Sequence, residues 1–317
     1  MKKFKIFGFI ACLALAAVMT VYGQPAPIAD GVYFIVANNG MVLDISGASA
    51  ANGARLSTWA FTGGTNQQFR FERQADGNFR ITAVHSGRVL DVSGNSMADG
   101  GEIIQYDWGN GPANRRWRVQ GSGGSFNIVS VSSGRFLDVP ATSREIGTGI
   151  VQWGTANQAN RQFRLVPLAQ ANTLIPVPNG TFRIVSRGGM HIHVQGNRTD
   201  NGAALVTWPS AGGANSQWRF ERQGDGSYTI RAAHSNLAVD VQGGATGDSA
   251  RVIQYTAHGR TNQRWFIIPS GGGYFRLVNH NSRRVLDIPG HATAQNTELI
   301  QFSDNGGTNQ QFRFPGL

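Results

Sequence analysis

One short phrase limits what this chain can fold into more than any other feature. Residues 86–94 read SGRVLDVSG, residues 133–140 read SGRFLDVP and residues 282–290 read SRRVLDIPG. Aligned on its acidic position, the phrase occurs six times, at Asp44, Asp91, Asp138, His193, Asp240 and Asp287, with spacings of 47, 47, 55, 47 and 47 residues. A fixed period of this length marks units that cannot bury an apolar face alone and must share a core with their neighbours. The long interval contains PLAQANTLIPVPNG, residues 167–180, which reads as a linker. FERQADG at 71–77 also returns as FERQGDG at 220–226, an offset of 149 that Asp91 and Asp240 share. The pattern is that of a three-unit segment duplicated whole.

Each unit carries four strand-like runs. In the second they are NFRITAV, RVLDVS, EIIQYDW and RRWRVQ. Their alternation predicts β-strands, and no helical periodicity persists beyond residue 23. Glycine occupies 42 of 317 positions, roughly twice its usual share of about 7%. That excess suits many tight turns. The expected class is all-β, with twelve short strands per three units, enough to close into a barrel and remove exposed edges.

The last strand of each unit adds a second signature: NQQFRF, NRRWRV, NRQFRL, NSQWRF, NQRWFI and NQQFRF. Its asparagines are Asn66, Asn114, Asn160, Asn215, Asn262 and Asn309, and a Phe or Trp follows three residues later in every unit. These aromatics are expected in the core. An LDV-like phrase, a glycine-containing loop, an aromatic and an Asn-led Q-x-W/F strand, repeated in register, resemble the ricin B-chain type of β-trefoil lectin. That group includes the family-thirteen carbohydrate-binding modules. The resemblance covers residues 31–317. It implies two tandem β-trefoils, each of three repeats of about 47 residues. The expected division is a signal peptide over 1–23, a first lectin domain over 31–167, a linker over 168–178 and a second lectin domain over 179–317.

A shallow sugar site needs a carboxylate for hydroxyl protons, an amide that donates and accepts, and a flat aromatic beneath the ring. Fifteen residues after the phrase position every unit has an aromatic: Trp59, Tyr106, Trp153, Trp208, Tyr255 and Phe302. The resemblance places the stacking aromatic there and lets the asparagine and a following glutamine complete the polar side. Unit five is the fullest match, with Asp240, Tyr255, Asn262, Gln263 and His258, a histidine that xylan-binding relatives can also carry. Unit one offers Asp44, Trp59, Asn66 and Gln67. Unit six offers Asp287, Phe302, Asn309 and Gln310. Unit three has Asp138, Trp153 and Asn160 but Arg161 in place of glutamine. Unit two has Asp91, Tyr106 and Asn114 but Arg115. Unit four, with His193 and Ser216, is expected to bind poorly. Many relatives carry a glutamine two residues before the aromatic. Here glutamine stands one residue later, at Gln105, Gln152, Gln254 and Gln301, so its amide should aim at the other face.

Lys2, Lys3 and Lys5 precede an apolar run from Ile6 to Val21, and Val21 and Gly23 suit a signal-peptidase site. A bacterial-type leader cleaved after Gly23, hence a secreted or periplasmic protein with no transmembrane segment, is expected. Cys12, the sole cysteine, would leave with it, so stability must come from packing without disulfides. The remaining chain carries arginine as its only cation besides histidine, with a net charge of about +7. That charge suits glycan partners such as acidic polysaccharide or lipopolysaccharide, although a solvated arginine surface would look the same. The arginines are dispersed along strands, which argues against nucleic acid. The glutamates Glu72, Glu102, Glu145, Glu221 and Glu298 lie in the FERQ repeats and loops and suggest no catalytic pair. No enzyme activity, cofactor or metal is expected: His191 and His193 share a strand face without a third ligand. A non-catalytic targeting or protein-binding trefoil subunit of a toxin or hydrolase system remains the alternative to a free lectin.

Overall fold

The computed structural model describes residues 28–317. The expected leader, with Cys12, lies outside them. The alternating runs do form strands. In unit two they are Phe79–Ala83, Val89–Val92, Gly101–Tyr106 and Trp117–Ser122. Strands from Gly31 to Pro167 join in one twelve-stranded sheet, and those from Gly180 to Arg313 in a thirteen-stranded sheet. In the first, Gly31–Ala37 pairs antiparallel with Phe163–Pro167, so unit one closes on unit three. In the second, Val185–Ser186 pairs with Phe312–Arg313, and unit four closes on unit six. Each sheet is a β-trefoil of three four-stranded repeats about one shared core; in the second, the first strand of unit four is split into Gly180–Phe182 and Val185–Ser186, which gives the thirteenth.

Period-two alternation sorts the repeated phrase. Leu43 and Ile45, Leu90 and Val92, and Leu137 and Val139 enter the first core. Ile192 and Val194, Val239 and Val241, and Leu286 and Ile288 enter the second. The residue between each pair points the other way. Phe69, Trp117 and Phe163, then Trp218, Trp265 and Phe312, fill the two cores as expected. The indoles of Trp117, Trp218 and Trp265 each donate to the carbonyl of the residue just before the phrase position, at 3.0 to 3.1 Å. Their ring nitrogens are thereby satisfied inside the core.

The displaced glutamines hold one unit to the next. Gln105 Nε2 donates to the carbonyls of Ser49 and Ala51 at 2.8 and 2.9 Å. Gln152, Gln254 and Gln301 make the same pair of bonds to the preceding unit's loop. In units one and four, threonine takes the position, and the hydroxyls of Thr58 and Thr207 donate to Glu145 and Ala294. Each such bond contributes on the order of 1 kcal/mol net and fixes where the loops stand.

The two sheets dock on each other. Met41, Ala60, Ile146, Phe266, Ile268, Val278 and Val285 form a separate buried cluster between them. A Cβ on Gly40 would stand 2.2 Å from the Pro269 carbonyl, and one on Gly226 2.6 Å from the Phe61 carbonyl. Buried Arg276 pairs with Asp304 and donates to the carbonyls of Arg144 and Asn39. The segment expected as a linker is folded: Leu168–Leu174 is a 3-10 helix. Leu174 packs with Phe34 and Val166 on the first sheet, and Val177 enters the second core. Among the described residues no helix is long and apolar enough to cross a membrane.

Candidate sugar site

In every unit the phrase position lies beneath the 3-10 turn that begins the last strand. Asn262 Nδ2 and Gln263 Nε2 both donate to Asp240 Oδ2, at 3.0 and 2.8 Å. Asn66 and Gln67 converge in the same way on one oxygen of Asp44, and Asn309 and Gln310 on one oxygen of Asp287. In these three units no donor among the described residues takes the second oxygen. A carboxylate so arranged is held in place and keeps acceptor capacity for a ligand.

Units two and three differ. Asn114 takes Asp91 Oδ1 and Arg115 Nε takes Oδ2, at 2.7 and 2.5 Å. Asn160 takes Asp138 Oδ1 and Arg161 Nε takes Oδ2, at 3.0 and 2.6 Å. The arginine stands where glutamine stands elsewhere, and it consumes the second oxygen. The Arg115 guanidinium also lies over the Tyr106 ring, 4.7 Å from its centroid. Asp91, Tyr106, Asn114, Asp138 and Asn160 thus come together as expected, but as ion-paired assemblies. Trp153 remains 44% exposed beside a carboxylate whose two oxygens are both taken.

The phrase aspartates are more buried than a surface reading suggests, at 2 to 5% exposure. Burial pushes Asp44 up to about 6, against the hydrogen bonds from Gln67 and Asn66 that lower it. Burial likewise raises Asp91, Asp240 and Asp287 above the usual carboxylate range. In unit four, burial lowers the pKa of His193, with His191 and Arg183 adding to the effect. Its Nε2 faces the Ser210 carbonyl at 3.0 Å. Neutral and turned inward, His193 supplies no anionic acceptor. Among the described residues no group of three or more His, Cys, Asp or Glu is placed to hold a metal ion.

Unit one, expected as a binding site, is closed by the second sheet. Arg283 lies over the Trp59 ring at 4.8 Å, and Phe266 meets its edge at 6.2 Å. Arg222 donates to the Phe61 and Thr62 carbonyls that form the next loop. Trp59 serves docking where a stacking platform was expected, because the loop beside Asp44 is the seat of the neighbouring trefoil. In unit six, Phe302 is half-buried, and the Asp304 that follows it is held by Arg276 and Arg144. Arg222 belongs to the repeated FERQ, where Arg73 is its counterpart, so repetition does not single it out. Phe266 stands where the other five units carry arginine and Arg283 where they carry glycine or asparagine, but periodicity does not say what these departures touch.

Unit five is open. Asp240, Tyr255, His258, Asn262 and Arg260 line a cleft of about 570 Å³. Tyr255 is 41% exposed. His258 Nδ1 accepts the Arg260 backbone N–H at 3.2 Å, so the ring proton sits on Nε2, which lies 3.5 Å from Asp240 Oδ2. Gln263 Oε1 accepts the His258 N–H at 2.9 Å and fixes the loop. One wall comes from unit four, where Asn201 receives the Thr256 N–H at 2.8 Å. An acceptor, donors on either side and an exposed ring face thus converge on one depression. That set suits a polyhydroxylated ring with one C–H face.

Comparison with known proteins bears on the fold and the family. No curated protein sequence matches the chain. Among solved structures, a mosquitocidal holotoxin aligns over 92% of this chain and 35% of its own length, at 17% identity and a TM-score of 0.59, which is a likeness of fold. The designed threefold-symmetric protein ThreeFoil is 38% identical over 44% of this chain and 100% of its own, with a TM-score of 0.43. The ricin B-like lectin of Macrolepiota procera, solved with lactose, is 21% identical over 44% of this chain and 96% of its own, with a TM-score of 0.38. The sequence profile described as ricin-type beta-trefoil lectin domain-like matches residues 22–106, 113–188, 169–255 and 261–316. With that profile spanning most of its length, the chain belongs to the ricin-type beta-trefoil lectin domain-like family.

Proposed function

We propose that the protein is an exported, non-catalytic lectin whose working site is the unit-five cleft. Family membership supports carbohydrate binding as the general activity. The observation that carries the specific reading is the convergence, in one open cleft, of Asp240 with an unclaimed oxygen, exposed Tyr255 and the His258 Nε2–H. The carboxylate accepts a pair of sugar hydroxyls, His258 donates to a third, and Tyr255 covers the apolar ring face. A single shallow site of this kind reaches only about 1 mM. Useful retention then depends on a dense glycan surface engaging several molecules at once. The basic, apolar segment 1–23 supports export, and a mature chain beginning at Gln24 is the expected result of sequencing the released protein.

The test is a glycan array probed with the full mature chain and with Tyr255→Ala. The reading requires glycans bound by the wild type and lost in the variant. Retention of binding by a folded Tyr255→Ala protein places the site elsewhere, and absence of any bound glycan sinks the lectin reading.

A further inference from the structure

Beyond His258, the unit-five cleft departs from its five counterparts at two further lining positions. Each phrase is followed by a turn whose third residue has a left-handed backbone. In the other units that residue is Ala48, Asn95, Thr142, Asn197 or His291, with φ between 49° and 56°. Thr142, Asn197 and His291 line depressions beside the asparagines of their own units. In unit five it is Gly244, at φ +66°, and a Cβ there would meet nothing within 4 Å. Gly243 precedes it, also with open space above. In unit four the cleft, bounded by Asn197, is about 280 Å³. In unit five the cleft runs without interruption from Asp240 and Tyr255, across Gly243 and Gly244, to Asn281 of the next unit. Asn281 is held rigid, donating to the Gly244 carbonyl at 3.0 Å and accepting from Thr261 Oγ1 at 3.2 Å.

The second position is two residues before the strand asparagine. The other units place Gly64, Pro112, Gln158, Gly213 or Gly307 there. Unit five places Arg260. Its backbone holds His258, while its guanidinium is exposed and makes no ion pair or side-chain hydrogen bond among the described residues. Most other arginines near the phrase loops are paired, as Arg88 is with Asp107, Arg135 with Asp99 and Arg284 with Asp248.

We infer that unit five binds an acidic oligosaccharide: one sugar sits on Tyr255 and Asp240, a second lies over the Gly243–Gly244 floor, and Arg260 pairs with a carboxylate or sulfate on that second sugar. A guanidinium suits this role because its planar fork matches both oxyanions and keeps its charge at every physiological pH. The glycine floor lets a ring approach the backbone where sibling units present a side chain. The inference rests on the reading of unit five as the sugar site, and its test separates the two.

An array carrying neutral oligosaccharides and the same cores bearing sulfate or uronate is probed with the full mature chain. The wild type should favour the acidic forms by about tenfold, the size of one charge-assisted contact of roughly 1.4 kcal/mol. Arg260→Gln should bring that ratio close to one. Arg118→Gln, which removes an equal charge from an exposed strand position in unit two, should leave it unchanged. Gly244→Asn installs the residue that units two and four carry at this backbone conformation, so it folds without new strain. It should remove the advantage of longer glycans over single sugars. Equal binding of acidic and neutral forms by the wild type, or an acidic preference that survives Arg260→Gln, overturns the inference and leaves the Tyr255 site standing. Binding that survives Tyr255→Ala overturns both.

Discussion

Arg161 Nε lies 2.6 Å from Asp138 Oδ2, in the place where Gln263 Nε2 stands on Asp240. One residue type at one position thus decides whether a repeat keeps an open acceptor. Asp138 and Arg161 have side-chain exposures of only 3% and 7%, so the pair is a structural brace as well as a closed site. Removing one partner of a buried pair strands the other charge. Asp138→Asn should therefore cost about 3 kcal/mol. Asp240→Asn should cost less than about 1 kcal/mol, because both of its donors converge on one oxygen, which an amide can still offer. Urea denaturation of the two variants checks the contrast, and equal losses would contradict it.

Trp59 and Tyr255 occupy the same position in their repeats and should respond in opposite ways. Trp59→Ala should leave glycan binding at the wild-type level and lower stability by about 2 kcal/mol, below the cost of a fully buried tryptophan. Tyr255→Ala should remove binding and leave the unfolding midpoint within about 0.5 kcal/mol of wild type. Calorimetric titration beside thermal unfolding reads both.

Docking of the two trefoils depends on glycine at two contacts. Gly40→Ala and Gly226→Ala each place a methyl within 2.2 to 2.6 Å of a carbonyl of the opposite sheet, at backbone angles that disfavour any side chain. Either change should convert one cooperative unfolding transition into two. It should also uncover Trp59 and Asp44, adding one binding site per chain. Scanning calorimetry and binding stoichiometry test this together, and an unchanged single transition would mean that the contact tolerates the methyl.

Mild acid should favour the fold through its buried phrase aspartates. Burial holds Asp44 at about 6 against an ordinary 3.8, and Asp91, Asp240 and Asp287 are raised in the same direction. Between those limits the folded chain retains protons that the unfolded chain has released. Stability contributed by these groups therefore rises as pH falls through about 6 toward about 4. Burial lowers the pKa of His191, His193 and His280, which oppose this over the same range. The Asp44 share is therefore read as a difference between proteins: lowering the pH from 7 to 5 should move the urea midpoint more favourably in the wild type than in Asp44→Asn. Identical slopes in the two proteins would exclude Asp44 as a source.

The sequence by itself determined the fold, because the fold depends on patterns that recur. The 47-residue period set the number of units, and alternation around each phrase sent Leu90 and Val92 inward and Asp91 outward. It also indicated that Gln254 and its counterparts face away from the phrase aspartates. Their clasp on the preceding unit's loop became visible only when the units stood side by side. Which units keep an open cleft was legible only in part. The sequence singled out Asp240, Tyr255 and His258 in unit five, which the structure brings to one cleft, and in unit four it showed the loss of the carboxylate. Tertiary structure decided the rest. Unit one is shut because Arg283, Phe266 and Arg222 arrive from the other trefoil, a contact made once whose partners the repeat pattern does not name. Units two and three are filled because an arginine side chain is long enough to turn back onto its own aspartate, which its place in the sequence does not reveal. Repetition writes the fold into the chain many times, whereas access to each site depends on single contacts between parts of the chain far apart in sequence.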